Sequence, residues 1–270
     1  MGEGKIRLLK NIKSKFNKES LIVEGNNCLE EAKLDEALKY YNKGLKIDSK
    51  DSRLWYNKGL ALERLGKHKD ALKCFDKALK IDPKNGRALG SKGIALAKLK
   101  KHEDALICLD KALKIDPNLA KVWYVKALVL SVFEKHHEAI ECFDKSLELD
   151  PKNKDAWFRK GYTLVDLEEK QEALKAYNKT LELDPTYVDA WNNKGVILED
   201  FEKHQEALES YDKALELDPK NINAWFNKGF TFSQIGKLQE ALNCYNKVLE
   251  LDPNFEPALK AKKDILEAKK

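Results

Sequence analysis

The side chains of this chain best equipped for chemistry are its five cysteines and five histidines. Thiolate and neutral imidazole are the usual zinc ligands, and a cysteine beside a histidine is a candidate nucleophile. Most of them fall into rows. Cys74, Cys108, Cys142 and Cys244 share one register, where the fifth and sixth copies put Ala176 and Ser210. A place held by Cys, Ala or Ser is a slot for a small packed side chain. Equivalent atoms on neighbouring helices lie about 8–10 Å apart, beyond the ~7 Å Cα separation a disulfide tolerates. His68, His102, His136 and His204 form a second row. His136 and His137 are the only adjacent pair, and no Cys or Asp stands near them at ligand spacing. There is also no phosphate loop, nucleophile elbow or paired-carboxylate motif. The expectation is no catalytic residue, no metal and no cofactor.

Those rows have a common period. Ala37, Ala71, Ala105, Ala139, Ala173, Ala207 and Ala241 are each 34 residues apart. The clearest copy of the repeating stretch is Ala190–Pro219. Trp191, Gly195 and Leu198 fall at i, i+4 and i+7, one face of a helix. Glu202, Lys203 and His204 mark a polar turn, and Ala207, Leu208, Tyr211, Ala214 and Leu215 draw a second apolar stripe. Pro219 stops that helix, having no N–H and disfavouring helical angles at Asp218. All five tryptophans (Trp55, Trp123, Trp157, Trp191, Trp225) share one register and are expected to anchor the core. Glycine inside a helix costs about 1 kcal/mol relative to alanine, yet six of seven copies carry it where Gly195 stands. Close approach of Gly195 to Ala207 is the expected reason.

A helix pair repeating every 34 residues resembles the tetratricopeptide repeat. Trp191, Gly195, Ala207, Tyr211, Ala214 and Pro219 occupy that family's motif positions, and the resemblance covers residues 18–255. It implies an all-α, right-handed α-solenoid, a superhelix of tandem helix-turn-helix repeats with terminal capping helices. The expected repeats are 18–51, 52–85, 86–119, 120–153, 154–187, 188–221 and 222–255. Residues 1–17 read as a basic amphipathic cap, with Ile6, Leu9, Ile12 and Phe16 on one face. Residues 256–270 read as a C-terminal capping helix that covers the seventh repeat with Leu259, Ile265 and Leu266.

In this family the first helices line a concave groove that takes extended or helical peptides. Carried over by register, the expected groove residues are Asn26, Arg53, Tyr56, Asn57, Leu60, Arg64, Arg87, Ser91, Lys121 and Tyr124, then Phe158, Arg159, Tyr162, Asp189, Asn192, Asn193, Phe226 and Asn227. Two features stand out. The charged row is basic early (Arg53, Arg64, Arg87, Lys121) and acidic late (Asp155, Asp166, Asp189, Asp200), which would orient a ligand with ends of opposite charge. Asn57, Asn193 and Asn227 can both donate and accept toward a peptide backbone. The family's carboxylate clamp for chaperone tails is matched by Asn26, Asn57 and Arg87, but Ile22 and Ser91 stand where it needs basic residues.

Composition reads as a soluble protein. Fifty basic and 45 acidic residues nearly cancel, giving a formal net charge of +5. No single electrostatic partner class dominates. Nucleic-acid or other anionic binding through the basic N-terminal half is the alternative from another class, disfavoured by the late aspartates. No apolar run approaches the ~20 residues of a membrane span, and the charged start has no signal-peptide core. The expectation is a cytoplasmic, non-enzymatic adaptor, monomeric or weakly oligomeric, that binds another protein's extended or helical segment. A co-chaperone role is a narrower version of the same reading.

Overall fold

The computed structural model describes residues 17–268, so the expected amphipathic helix within residues 1–16 lies outside the described residues. The described residues are helical in consecutive pairs: α1 (Lys18–Glu30) with α2 (Leu34–Ile47), α3 (Ser52–Arg64) with α4 (His68–Ile81), α5 (Gly86–Lys98) with α6 (His102–Ile115), and α7 (Ala120–Val132) with α8 (His136–Leu149). After these come α9 (Lys154–Asp166) with α10 (Lys170–Leu183), α11 (Val188–Asp200) with α12 (His204–Leu217), α13 (Ile222–Gln234) with α14 (Leu238–Leu251), and a final α15 (Glu256–Ala268). The chain divides into two compact units between Asp150 and Pro151. The first holds α1–α8 and the second α9–α15. No described helix is long and apolar enough to cross a membrane.

Side-chain chemistry sets the helix ends. Asn85, Asn153 and Asn221 precede α5, α9 and α13, and each accepts from the N–H three residues on at 2.9–3.0 Å. That bond satisfies a donor which a helix N-terminus leaves bare. Between the helices of each pair the chain reverses through one left-handed residue. Gly66 and Gly236 supply it twice, but Ala32, Lys100, Glu134, Glu168 and Glu202 adopt φ of 57–60° without glycine's freedom. The backbone N–H just past each turn, as from Lys203 to Leu198 at 2.9 Å, closes the helix end and holds that conformation.

The core runs between the paired helices. The seven alanines of the 34-residue row have no exposed surface. Beside them Tyr41, Phe75, Leu109, Phe143, Tyr177, Tyr211 and Tyr245 are all at most 1% exposed. The partner of Gly195 differs from the expectation. A Cβ there would lie 2.5–2.9 Å from the ring of Tyr211, so the glycine makes room for the second helix's aromatic face, not for Ala207.

Trp55, Trp123, Trp191 and Trp225 pack against the buried clusters as expected of core anchors, yet all five tryptophans stay half-buried at the surface. Each indole N–H donates to the carbonyl six residues earlier, as from Trp191 to Pro185 at 2.9 Å and from Trp55 to Ser49 at 2.9 Å. An indole donor needs a partner when it leaves water. Here that partner is the turn before the helix, which keeps one ring edge outside. At the C-terminus, Ala258 and Ile265 of α15 pack against Ala241, Tyr245 and Val248. Leu259 and Leu266, each one residue further round, are 47% and 46% exposed, so the cap uses a narrower face than expected.

Candidate functional site

The first helices α1, α3, α5, α7, α9, α11 and α13 carry the residues expected to line a groove, and each unit arranges its own set. In the first unit, Asn26 and Asn57 come together. Asn57 Nδ2 donates to Asn26 Oδ1 at 2.9 Å, and Tyr41 donates to the same oxygen at 2.9 Å. Arg53 sits in a carboxylate fork, with Nη1 and Nη2 on Glu19 at 3.0 and 2.7 Å and Nη2 on Asp51 at 2.7 Å. Lys18 adds a second cation at 3.0 Å from Asp51. The Arg53 hydrogen bonds hold the Asp51 carboxyl well below the usual carboxylate range. Arg64 donates to the carbonyl of Leu29 at 2.6 Å, capping the end of α1.

Four of the expected polar groove residues, Asn26, Arg53, Asn57 and Arg64, are therefore committed to neighbouring helices. Arg87 and Lys121 remain exposed without an ion pair among the described residues, on the rim of a recess of about 410 Å³ that Tyr56 and Ser91 also line. Tyr56 and Tyr124 lean on Phe75 and Phe143, at ring separations of 6.2 and 6.1 Å. Leu60 is half-buried, while Ile94 of the same row is only 7% exposed.

The second unit is arranged differently. Asn192, Asn193 and Asn227 form one network: Asn227 donates to Asn192 at 3.0 Å, Asn192 to Asn193 at 3.2 Å, and Asn193 to the Tyr177 hydroxyl at 3.3 Å. Phe158 is not a groove residue, being 6% exposed. It is covered by Tyr187, whose ring centroid lies 4.8 Å away. Phe255 covers Phe226 in the same way at 5.4 Å. Sequence reasoning missed both covering residues. Their signal was that Tyr187 and Phe255 stand in the register where Asn85, Asn153 and Asn221 cap helices. Arg159 is exposed, with its guanidinium 5.8 Å from the Phe158 ring centre.

One row in this unit stays open. Tyr162, Val196 and Phe230, one from each of α9, α11 and α13, are 52%, 38% and 42% exposed. Tyr162 and Val196 share a recess of about 160 Å³ with Asn193, Asp166 and Asp200. The acidic row is partly spent, because Asp200 pairs with Lys170 at 2.7 Å and Asp155 accepts from Tyr187 at 3.3 Å. Asp189 is exposed.

Cys74, Cys108, Cys142 and Cys244 are buried, and burial pushes the thiols of Cys142 and Cys244 up to about 11. Such a thiol stays protonated at neutral pH and makes a poor nucleophile. Among the described residues no three His, Cys, Asp or Glu side chains are grouped to hold a metal.

Comparison with known proteins follows the helix pairs. The family model described as tetratricopeptide repeat matches residues 52–85, 188–221 and 222–255. Further tetratricopeptide models match 25–66, 161–200 and 74–107. The chain belongs to the tetratricopeptide repeat family. Residues 100–180 of this repeat protein also match the model for anaphase-promoting complex, cyclosome, subunit 3. Among solved structures it is similar to YrrB, described as a TPR protein with an unusual peptide-binding site. That match has 29% identity and a TM-score of 0.66, over 71% of this chain and 99% of YrrB. The structure of MamA 41-end from Desulfovibrio magneticus RS-1 matches with 27% identity and a TM-score of 0.55, over 63% of this chain and 96% of that one. The pilF structure of Pseudomonas aeruginosa, at 17% identity and a TM-score of 0.67, covers 81% of this chain and 97% of its own and shares the fold. No curated protein matches the sequence.

Proposed function

We propose that this repeat protein is a non-enzymatic interaction scaffold that holds an extended or helical protein segment along the first helices of its second unit. The observation that carries the reading is the open row of Tyr162, Val196 and Phe230 on three successive first helices. Partner segments are anchored by a few apolar side chains, with polar groups beside them fixing orientation. The amides of Asn193 and Asn227 supply those polar groups. Asn227 is engaged through one Nδ2 bond, and Asn193 through one Nδ2 bond and one bond accepted on Oδ1, which leaves further donor and acceptor capacity on both. The likeness to a peptide-binding repeat protein supports the same class of function.

The chaperone-tail clamp is the weaker version. Ile22, which stands where the clamp needs a lysine, is 7% exposed in the core beside Tyr41. Asn26 and Asn57 are bonded to each other. Nucleic-acid binding through the early groove loses a cation as well, since Arg53 is held between Glu19 and Asp51.

The test is a peptide selection against the whole protein, followed by calorimetric titration of the selected peptides. The triple variant Tyr162→Ala, Val196→Ala, Phe230→Ala removes partly exposed groups outside the buried core and should keep its helical circular dichroism. Binding should weaken by more than about tenfold, some 1.4 kcal/mol. Unchanged affinity in the folded variant would sink the groove reading.

A further inference from the structure

The tryptophan face lies on the flank where each first helix meets its second helix, and it carries a charge pattern of its own. Each of Trp55, Trp123, Trp157, Trp191 and Trp225 has the lysine three residues on lying 5.2–5.7 Å from its ring centre. Several of the flank lysines find carboxylates inside the protein, whereas Lys194, with Asn178 sixteen residues earlier, has no ion pair among the described residues. Lys92, Lys126 and Lys228 pair with Asp76, Asp110 and Asp212, always sixteen residues earlier. On the second helices, Lys145, Lys179, Lys213 and Lys247 pair with the glutamate three residues later.

Trp55 lacks both partners. Sixteen residues before Lys58 stands Asn42, and three after Lys77 stands Lys80. Lys58 and Lys77 have no ion pair among the described residues, yet they lie 5.4 and 4.1 Å from the same ring centre. They line a recess of about 330 Å³ whose apolar wall is Trp55 and Leu62. The carboxylate nearest at hand, Asp70, is taken by Lys73 at 2.8 Å.

We propose that this recess binds a carboxylate side chain of an acidic protein segment. The entering carboxylate would take the place of the aspartate and glutamate that other repeats supply internally, with its methylenes on Trp55 and Leu62 and its charge between Lys58 and Lys77. The surroundings extend the preference. Lys80, Lys111 and Lys114 continue the basic surface on α4 and α6, where Glu148, Glu182, Glu216 and Glu250 stand at the register of Lys80 and Lys114. A protein segment suits the face better than a nucleic-acid backbone, because Asp70, Asp76, Asp104 and Asp110 interrupt the lysines on the same helices and would repel a continuous run of phosphates. The site lies off the groove and in the other unit, so neither proposal stands on the other.

The chain's own repeats provide the test. Asn42→Asp with Lys80→Glu restores both internal partners by copying pairs the protein already tolerates. Fluorescein-labelled hexaglutamate is titrated against the whole protein at about 50 mM salt, where screening leaves short-range charge contacts intact. The parent should bind it with a change in tryptophan emission that Trp55→Phe removes, and should ignore hexaglutamine. The double variant should bind about fivefold more weakly, the scale set by two partly exposed charge contacts. If that variant unfolds by circular dichroism, Lys58→Met with Lys77→Met takes its place and carries the same expectation. Equal binding by parent and folded variant, or no binding by the parent, would overturn the proposal. Hexathymidylate binding at least as tightly as hexaglutamate would overturn the choice of an acidic protein segment.

Discussion

The Asp51 carboxylate shows how one residue can hold several parts of this chain together. It caps α3 by accepting from the Arg53 N–H at 3.0 Å, and it also takes the Arg53 and Lys18 side chains. Its side chain is 5% exposed, so removing the charge would leave two cations facing a buried amide. A folded-state pKa below the unfolded value means stability that is present above the unfolded pKa and lost as pH falls through the folded one. Asp51→Asn should therefore cost about 1–3 kcal/mol at pH 7. The gap between parent and variant should close as pH drops below about 4, the ordinary carboxylate range. Urea melts at pH 7 and in acid measure this, and a gap independent of pH would count against the carboxylate's role. The left-handed turn residues make a second case at this scale. Glu134 holds φ of 57° with a full side chain. Glu134→Gly relieves that strain at some cost in unfolded-state entropy, so a net gain of up to about 1 kcal/mol is expected in thermal melts. A loss would show that the glutamate side chain contributes more than its backbone strain removes.

At the scale of elements, each helix pair is set by how closely its two helices approach. The Tyr211 ring fills the space where Gly195 has no side chain. Gly195→Ala gains helix propensity, worth about 1 kcal/mol, but overpacking a filled core commonly costs about 1–3 kcal/mol. The net expectation is destabilisation, and a stability equal to the parent's in denaturant would mean the Tyr211 ring moves aside freely. The periodic pattern made the helix ends legible, because proline, asparagine and the alanine row act within one helix or one turn. It did not reveal what Gly195 faces, since a period gives the face of a helix and not the neighbour opposite. Phe158 failed for a related reason. Whether it lines a groove is decided by Tyr187, at the start of the next first helix, and Asn153 or Asn221 in that register would leave it uncovered. Register alone presents Arg53 as a free groove cation, whereas Glu19, one repeat earlier, holds it.

At the scale of the whole molecule, repeated pairs carry stability as a sum of local terms and neighbour contacts. That leaves individual surface rows free to vary without breaking the fold. Variation is where the two proposed binding faces arise: Tyr162, Val196 and Phe230 in the second unit, and the unpartnered lysines around Trp55 in the first. Both are departures from the repeat's own regularity, which is why register alone pointed to a fold and only side-chain pairing pointed to sites. Fold does not fix function, so the claim rests on those rows. Hydrogen exchange of the full protein, with and without a peptide selected for binding, tests it most directly. The account predicts slowed exchange in α9, α11 and α13, where the peptide would cover the Tyr162, Val196 and Phe230 row. Slowing confined to α10, α12 and α14, with those three first helices unchanged, would contradict it.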